Sequence, residues 1–108
     1  MNLKHGDIYR VNLDPTIGSE IKKKRPCVLI GAAPINKARR TVVIIPLSIA
    51  GIPRPPLTIE VECLNKKGVA VCDQIRAVDK SRLMDKVGEM KKEDLIQVEN
   101  GLRQVLVF

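Results

Sequence analysis

Residues 18–26 read GSEIKKKRP, a stretch that sets one carboxylate, Glu20, just ahead of four consecutive cations, Lys22, Lys23, Lys24 and Arg25. Cations at that density attract anions, and the carboxylate beside them is a group able to accept a proton. The turn residues of DPTIGS and the proline at 26 put the run on a loop entering an apolar strand, where side chains project from an anchored backbone. A solvated basic hairpin tip has the same composition. A hydroxyl, Ser48, closes the otherwise apolar run of IIPLSIAG, either facing a site at a strand end or starting a turn. In CDQIR, Asp73, Gln74 and Arg76 interrupt strand-like sequence, as a polar site would and as buried polar structure or a salt bridge also would.

Other chemistries are poorly served. There is no GxSxG, and the single histidine, His5, lies in an N-terminal segment read as frayed and without an acid partner, so a serine-hydrolase triad is not expected. Cys27, Cys63 and Cys72 form no CxxC or Cys/His pattern, and each lies in an apolar run, which reads as reduced core thiol. With one histidine, no transition-metal site and no cofactor are expected.

The elements that must carry these groups are mostly strands. DIYRVNL alternates, with Tyr9, Val11 and Leu13 on one face. PCVLIGA and TVVIIPL are continuous apolar runs, as in strands buried on both faces. LTIEVEC alternates again, setting Leu57, Ile59, Val61 and Cys63 toward a core, and GVAVCDQ and IRAVD complete the set. GIPRPP has three prolines in six residues and reads as a stiff loop. From Lys92 the spacing of Leu95, Val98, Leu102 and Val105, with acids in the first turn, predicts an amphipathic helix, although Gly101 inside it costs about 1 kcal/mol relative to Ala. A shorter helix is expected around Asp79 to Lys86. The 108 residues suit one domain, a small, closed, strongly bent β-sheet with a C-terminal helix laid on it.

Charge is distributed unevenly. The net +7 lies entirely in residues 1–54, where ten Lys or Arg face three acids, while residues 55–108 hold nine of each. The excess clusters at Lys22–Arg25 and again at Lys37, Arg39 and Arg40, which points to a polyanion, nucleic acid before membrane, unless the surface is basic only for solubility. Aromatic content of 2%, Tyr9 and Phe108, argues against a grip made mainly by base stacking. No stretch reaches the length of apolar sequence a membrane span needs, and MNLKHGD lacks a signal-peptide apolar region, so a cytoplasmic location is expected.

Taken in order, GDIYRVNLDPTIGSEIKKKRPCVLI, VVIIPLS and VCDQIRAVDKSRL resemble the MazF/PemK family of toxin endoribonucleases through essentially the whole chain. The resemblance implies an SH3-like β-barrel of the CcdB/MazF kind with a C-terminal helix. It also implies a homodimer that cuts single-stranded mRNA in a sequence-specific, metal-independent way and is silenced by a cognate antitoxin peptide. By the same resemblance Arg25 of RPCV corresponds to the family's catalytic arginine and Ser48 of PLS to its catalytic Thr or Ser. Such cleavage needs a base for the 2′-hydroxyl proton and charge stabilisation of the phosphorane. The planar fork of Arg25 suits the phosphorane, the Ser48 hydroxyl can donate to the same oxygens, and Glu20, the one acid in the basic loop, is the candidate base. RNA is expected to lie along Ser19, Lys22, Lys23 and Lys24, with Asn36, Lys37 and Arg54 further out and Asp73 and Gln74 beside the centre. PemK-like members assign catalysis to His, Arg and Asp; here those positions are Ser19, Val71 and Asp73, so the Arg25/Ser48 arrangement is the one retained. The rival reading is a non-enzymatic toxin of the CcdB kind, or a binding module acting on a protein, since that barrel serves both.

Overall fold

A computed structural model describes residues 2–108. Its seven strands are β1 (Asp7–Asn12), β2 (Lys24–Leu29), β3 (Thr41–Ser48), β4 (Thr58–Cys63), β5 (Lys66–Val71), β6 (Arg76–Asp79) and β7 (Leu83–Glu89). Two helices join them, α1 (Ala33–Ala38) and α2 (Lys92–Leu106). The sheet runs β4-β5-β3-β2-β1-β7, with β6 paired to β3, so it curls into a half-barrel whose ends, β4 and β7, do not pair. All pairings are antiparallel.

β3 is the strand on which the fold turns. It pairs with β2 along Leu29↔Ile44, Val28↔Ile45 and Cys27↔Pro46, while its other edge serves β6 from Thr41 to Ile44 and then β5 from Leu47 to Ser48. Pro46 falls in the gap between those two partners, where a missing N–H leaves no ladder position empty. The 3₁₀ turn Cys72–Gln74 carries the chain from β5 to β6.

Alternation sorts the core into two layers. Tyr9, Val11, Leu13, Cys27, Leu29, Val42, Ile44, Val78 and Leu83 form one, and Ile8, Val28, Ile45, Leu47, Val61, Cys63, Val98 and Leu102 belong to the other, which α2 covers. In α2, Val98 and Leu102 are buried, with Leu95 and Val105 packed at the margin, as its spacing predicts. Gly101 is required by close approach: a Cβ there would stand 3.0 Å from Ile59 Cγ1 and 3.3 Å from Pro56 O. Asp94, instead of capping its own helix, accepts a hydrogen bond from Glu62 N on the edge strand β4 at 2.9 Å.

Several expectations need correction. The helix expected around Asp79 to Lys86 is a single 3₁₀ turn, Lys80–Arg82, capped by the Asp79 carboxylate accepting from Ser81 N at 2.8 Å. The chain then extends as β7, because the free edge of β1 offers a ladder that a short helix could not match. Leu57 is 49% exposed, since β4 begins only after it. His5 is not frayed: its Nδ1 lies 2.8 Å from Ile30 O and its Nε2 2.9 Å from Glu99 of α2. Asp7, of the GDIY run, is buried, accepts from Lys4 N at 3.0 Å and pairs with Lys86 at 3.3 Å, so that motif serves the fold.

All three cysteines are buried free thiols. Burial pushes Cys27 from its ordinary 9.0 up to about 12, a rise only partly offset by the Arg76 guanidinium, and pushes Cys72 up to about 11. Below pH 9.0 the Cys27 thiol is protonated both folded and unfolded. Between 9.0 and about 12 the unfolded chain alone releases the proton, so stability falls as pH rises. The slope is about 1.4 kcal/mol per pH unit for each such thiol. Cys27→Ala is therefore expected to lose stability more slowly than wild type between pH 9 and 11 in denaturant titrations; parallel curves would refute the burial effect.

Candidate active site

The segment between β1 and β2 carries Glu20, Lys22 and Lys23, the rest of the first basic cluster opening β2, and three ties hold it. Asp14 Oδ1 accepts from Lys23 N at 2.9 Å, and Lys23, at φ 71°, returns its carbonyl to Leu13 N at 3.0 Å. The Arg82 guanidinium donates to Asn12 O at 3.1 Å and to Asp14 O. Across the barrel, Gln74 Oε1 accepts from Ile21 N at 2.7 Å, while Ile21 packs on the first core layer. Glu20 closes its own turn, accepting from Ile17 N through Oε1 at 2.7 Å. These ties make an anchored loop of what sequence alone leaves open to a mobile hairpin tip.

Arg25 lies on β2 and Ser48 at the end of β3. The β2–β3 ladder ends at Cys27↔Pro46, and Arg25 and Ser48 lie two residues beyond it on their own strands, Arg25 sharing strand parity with Cys27 and Ser48 with Pro46. From Leu47 the other edge of β3 pairs with β5. Arg25 is exposed, with Nε donating to Lys22 O at 3.3 Å, and Ser48 is half-buried. Glycines crowd the serine: a Cβ on Gly68 would stand 2.7 Å from Ser48 O, and one on Gly51 3.6 Å from its Oγ and 2.3 Å from Val69 Cγ2. Against Pro46 opens a cleft of about 210 Å³ lined by Glu20, Ile21, Pro46, Asp73, Gln74, Ile75 and Arg76. Glu20, Asp73 and Gln74, dispersed over half the sequence, thus line one cleft, with Pro46, two residues before Ser48, in its wall; Arg25 and Ser48 are not among its lining residues.

The remaining candidates divide. Ser19, Lys22 and Lys23 are exposed on the anchored loop, and Lys24 is exposed at the start of β2. Arg54 is exposed on the proline-rich loop, its N–H bonded to Thr58 O at 3.1 Å. Asn36 is 1% exposed and its Nδ2 donates to Leu3 O at 3.1 Å and Gly31 O at 2.9 Å, so it fastens α1 to the N-terminal segment and has no surface to offer RNA. Lys37 is exposed but lies before Thr41, at the end of β3 opposite Ser48. Arg76, which the sequence sets beside Asp73 and Gln74 in CDQIR without a place among the RNA-binding residues, also lines the cleft, opposite Ile44 at the start of β6. Val71 is buried, in accord with a non-catalytic role.

Chemically the cleft offers two carboxylates, Glu20 and Asp73, the Gln74 amide and the Arg76 guanidinium, groups able to accept a proton and to meet the oxygens of a phosphodiester. Among the described residues, no three of His, Cys, Asp or Glu are grouped to hold a metal ion, and no helix is long and apolar enough to cross a membrane.

A curled half-barrel backed by one C-terminal helix is the architecture of the MazF toxins. MazF from Deinococcus radiodurans superposes with a TM-score of 0.87 at 22% identity, over 97% of this chain and 96% of that one. A mycobacterial endoribonuclease in complex with its cognate antitoxin superposes at 0.81 and 19% identity, over 97% and 95% of the two chains. The chain belongs to the family of PemK-like, MazF-like toxins of type II toxin-antitoxin systems, which it matches over residues 4–106. It is 33% identical over 106 residues to the endoribonuclease MazF of Staphylococcus epidermidis, covering 93% of this chain and 88% of that relative.

Proposed function

We propose that this toxin is a metal-independent endoribonuclease that cuts single-stranded mRNA at a preferred sequence, acts in the cytoplasm as a homodimer and is silenced by a cognate antitoxin. Glu20 takes the proton of a ribose 2′-hydroxyl, the oxygen attacks the adjacent phosphorus, and the P–O5′ bond breaks. The 5′-oxygen takes a proton from water as it leaves, so the products are a 2′,3′-cyclic phosphate, which water opens in turn to a 3′ phosphate, and a 5′-hydroxyl. Arg25 and Ser48 stabilise the phosphorane by charge and by hydrogen bonding. Lys22, Lys23 and Lys24 hold the flanking phosphates, while Ser19, Arg54, Asp73 and Gln74 face the bases. A basic surface of this kind suits an antitoxin peptide rich in acids.

What supports this reading is the cleft that gathers Glu20, Asp73 and Gln74 against Pro46, with Arg25 and Ser48 each two residues beyond the end of the β2–β3 ladder at Cys27↔Pro46. Purified protein incubated with a defined RNA in excess EDTA is expected to cleave it and leave the stated ends. Intact RNA would favour the rival, a toxin that binds a protein target. RNA affinity is also expected to fall with salt, by about 0.7 in log K per log salt for each phosphate neutralised. Salt-insensitive binding would remove the lysines from the interface.

A further inference from the structure

A second set of cations lies away from the cleft. Lys37, Arg39 and Arg40 are exposed around the end of α1 and the start of β3. The 3₁₀ turn Lys80–Arg82 packs against them: Lys80 N donates to Arg40 O at 2.8 Å, and Lys80 Nζ to Lys37 O at 3.4 Å. None of these five cations forms an ion pair among the described residues. The acid nearest them, Asp79, caps the 3₁₀ turn through Ser81 N; that bond first, then Arg40 and Arg82, holds its carboxyl below the usual range.

The turn also leads to the catalytic loop. Arg82, two residues after Lys80, donates to Asn12 O and Asp14 O, and Asp14 holds Lys23 N. The two basic clusters, separate in sequence, are therefore joined across the surface as Lys22–Lys24, Arg82, Lys80, Arg39 and Arg40. β3, whose two ends carry Arg40 and Ser48, spans up to about 23 Å over its eight residues. A strand stacked at about 3.4 Å per nucleotide needs about seven nucleotides to cover that distance.

We infer that Arg39, Arg40 and Lys80 form an exosite for the phosphates of single-stranded RNA several nucleotides from the bond that is cut. The inference rests on the endoribonuclease reading of the same chain. RNA is favoured over an acidic peptide because the basic track begins at the loop that faces the scissile phosphate, and one strand bearing a charge on every residue can follow it throughout. The exosite adds affinity without touching the reacting atoms, so its signature is a dependence on substrate length.

The test compares a short RNA of about six nucleotides with one of about twenty, both centred on a cleavage site mapped in a long RNA. Wild type is expected to show a kcat/KM about tenfold higher or more on the long substrate at low salt, and Arg39→Glu/Arg40→Glu to abolish that preference. The short substrate should be cut by both proteins within about twofold, and the salt slope on the long one should fall by about 1.4. A wild type indifferent to length, or a variant that keeps both preference and slope, would overturn the exosite while leaving the nuclease reading intact. If neither RNA is cut, the nuclease reading fails by itself, and equilibrium binding of the twenty-nucleotide RNA to wild type and variant still decides the exosite. Unequal loss of polyglutamate binding with unchanged RNA binding would assign the surface to an acidic peptide and overturn the proposal. Should the charge reversals disturb folding, Arg39→Gln/Arg40→Gln, which loses the same two phosphate contacts, is expected to give the same pattern and the same fall in slope of about 1.4.

Discussion

Arg25→Ala is expected to lower kcat on a defined single-stranded RNA by about a hundred- to a thousandfold while thermal stability stays near that of wild type. The side chain is exposed, and its one protein contact, Nε to Lys22 O at 3.3 Å, lies on the surface, so little folding energy goes with it. The guanidinium meets charge that grows as the phosphorane forms, and a neutral side chain cannot replace it. Arg25→Lys should recover part of the loss, since it keeps the charge and loses the fork. Steady-state and single-turnover cleavage, with melting curves beside them, check this; near-wild-type turnover in Arg25→Ala would take the residue out of the chemistry.

Glu20→Gln should cost about a hundred- to ten-thousandfold in kcat. The substitution separates two roles. Glutamine retains an oxygen to accept from Ile17 N, the bond of 2.7 Å that closes the turn, so the loop keeps its shape while the proton acceptor is lost. Asp73, the other carboxylate of the cleft, is the control. Asp73→Asn is expected to alter KM more than kcat, and the opposite pattern in the two variants would move the base to Asp73.

Much of this was legible in the sequence because it is local. The alternation of Tyr9, Val11 and Leu13 and the spacing of Val98 and Leu102 read directly into buried faces. What was not legible depends on partners far along the chain. Asn36 sits in a basic stretch and reads as a surface contact, yet its amide satisfies a carbonyl 33 residues away. His5 gains a carboxylate 94 residues away. Residues after Asp79 have a sequence that would allow a helix, and become a strand because β1 has an unpaired edge to fill. Gly101, unfavourable to a helix viewed alone, is what lets α2 approach Ile59. At the site, the motifs point to Arg25, Ser48 and Glu20, while the Gln74 latch that holds the loop of Glu20 at the cleft depends on a partner 53 residues away.

The proposed common centre of Arg25 and Ser48 is tested most directly by a double-mutant cycle on the chemical step. Single-turnover cleavage would be measured for Arg25→Ala, Ser48→Ala and the pair, with RNA saturating. Two groups stabilising one phosphorane act as a unit, so the double variant is expected to be about as slow as Arg25→Ala alone. Losses that multiply, each substitution taking its full factor regardless of the other, would mean that the two side chains serve different events, and the common centre would be wrong.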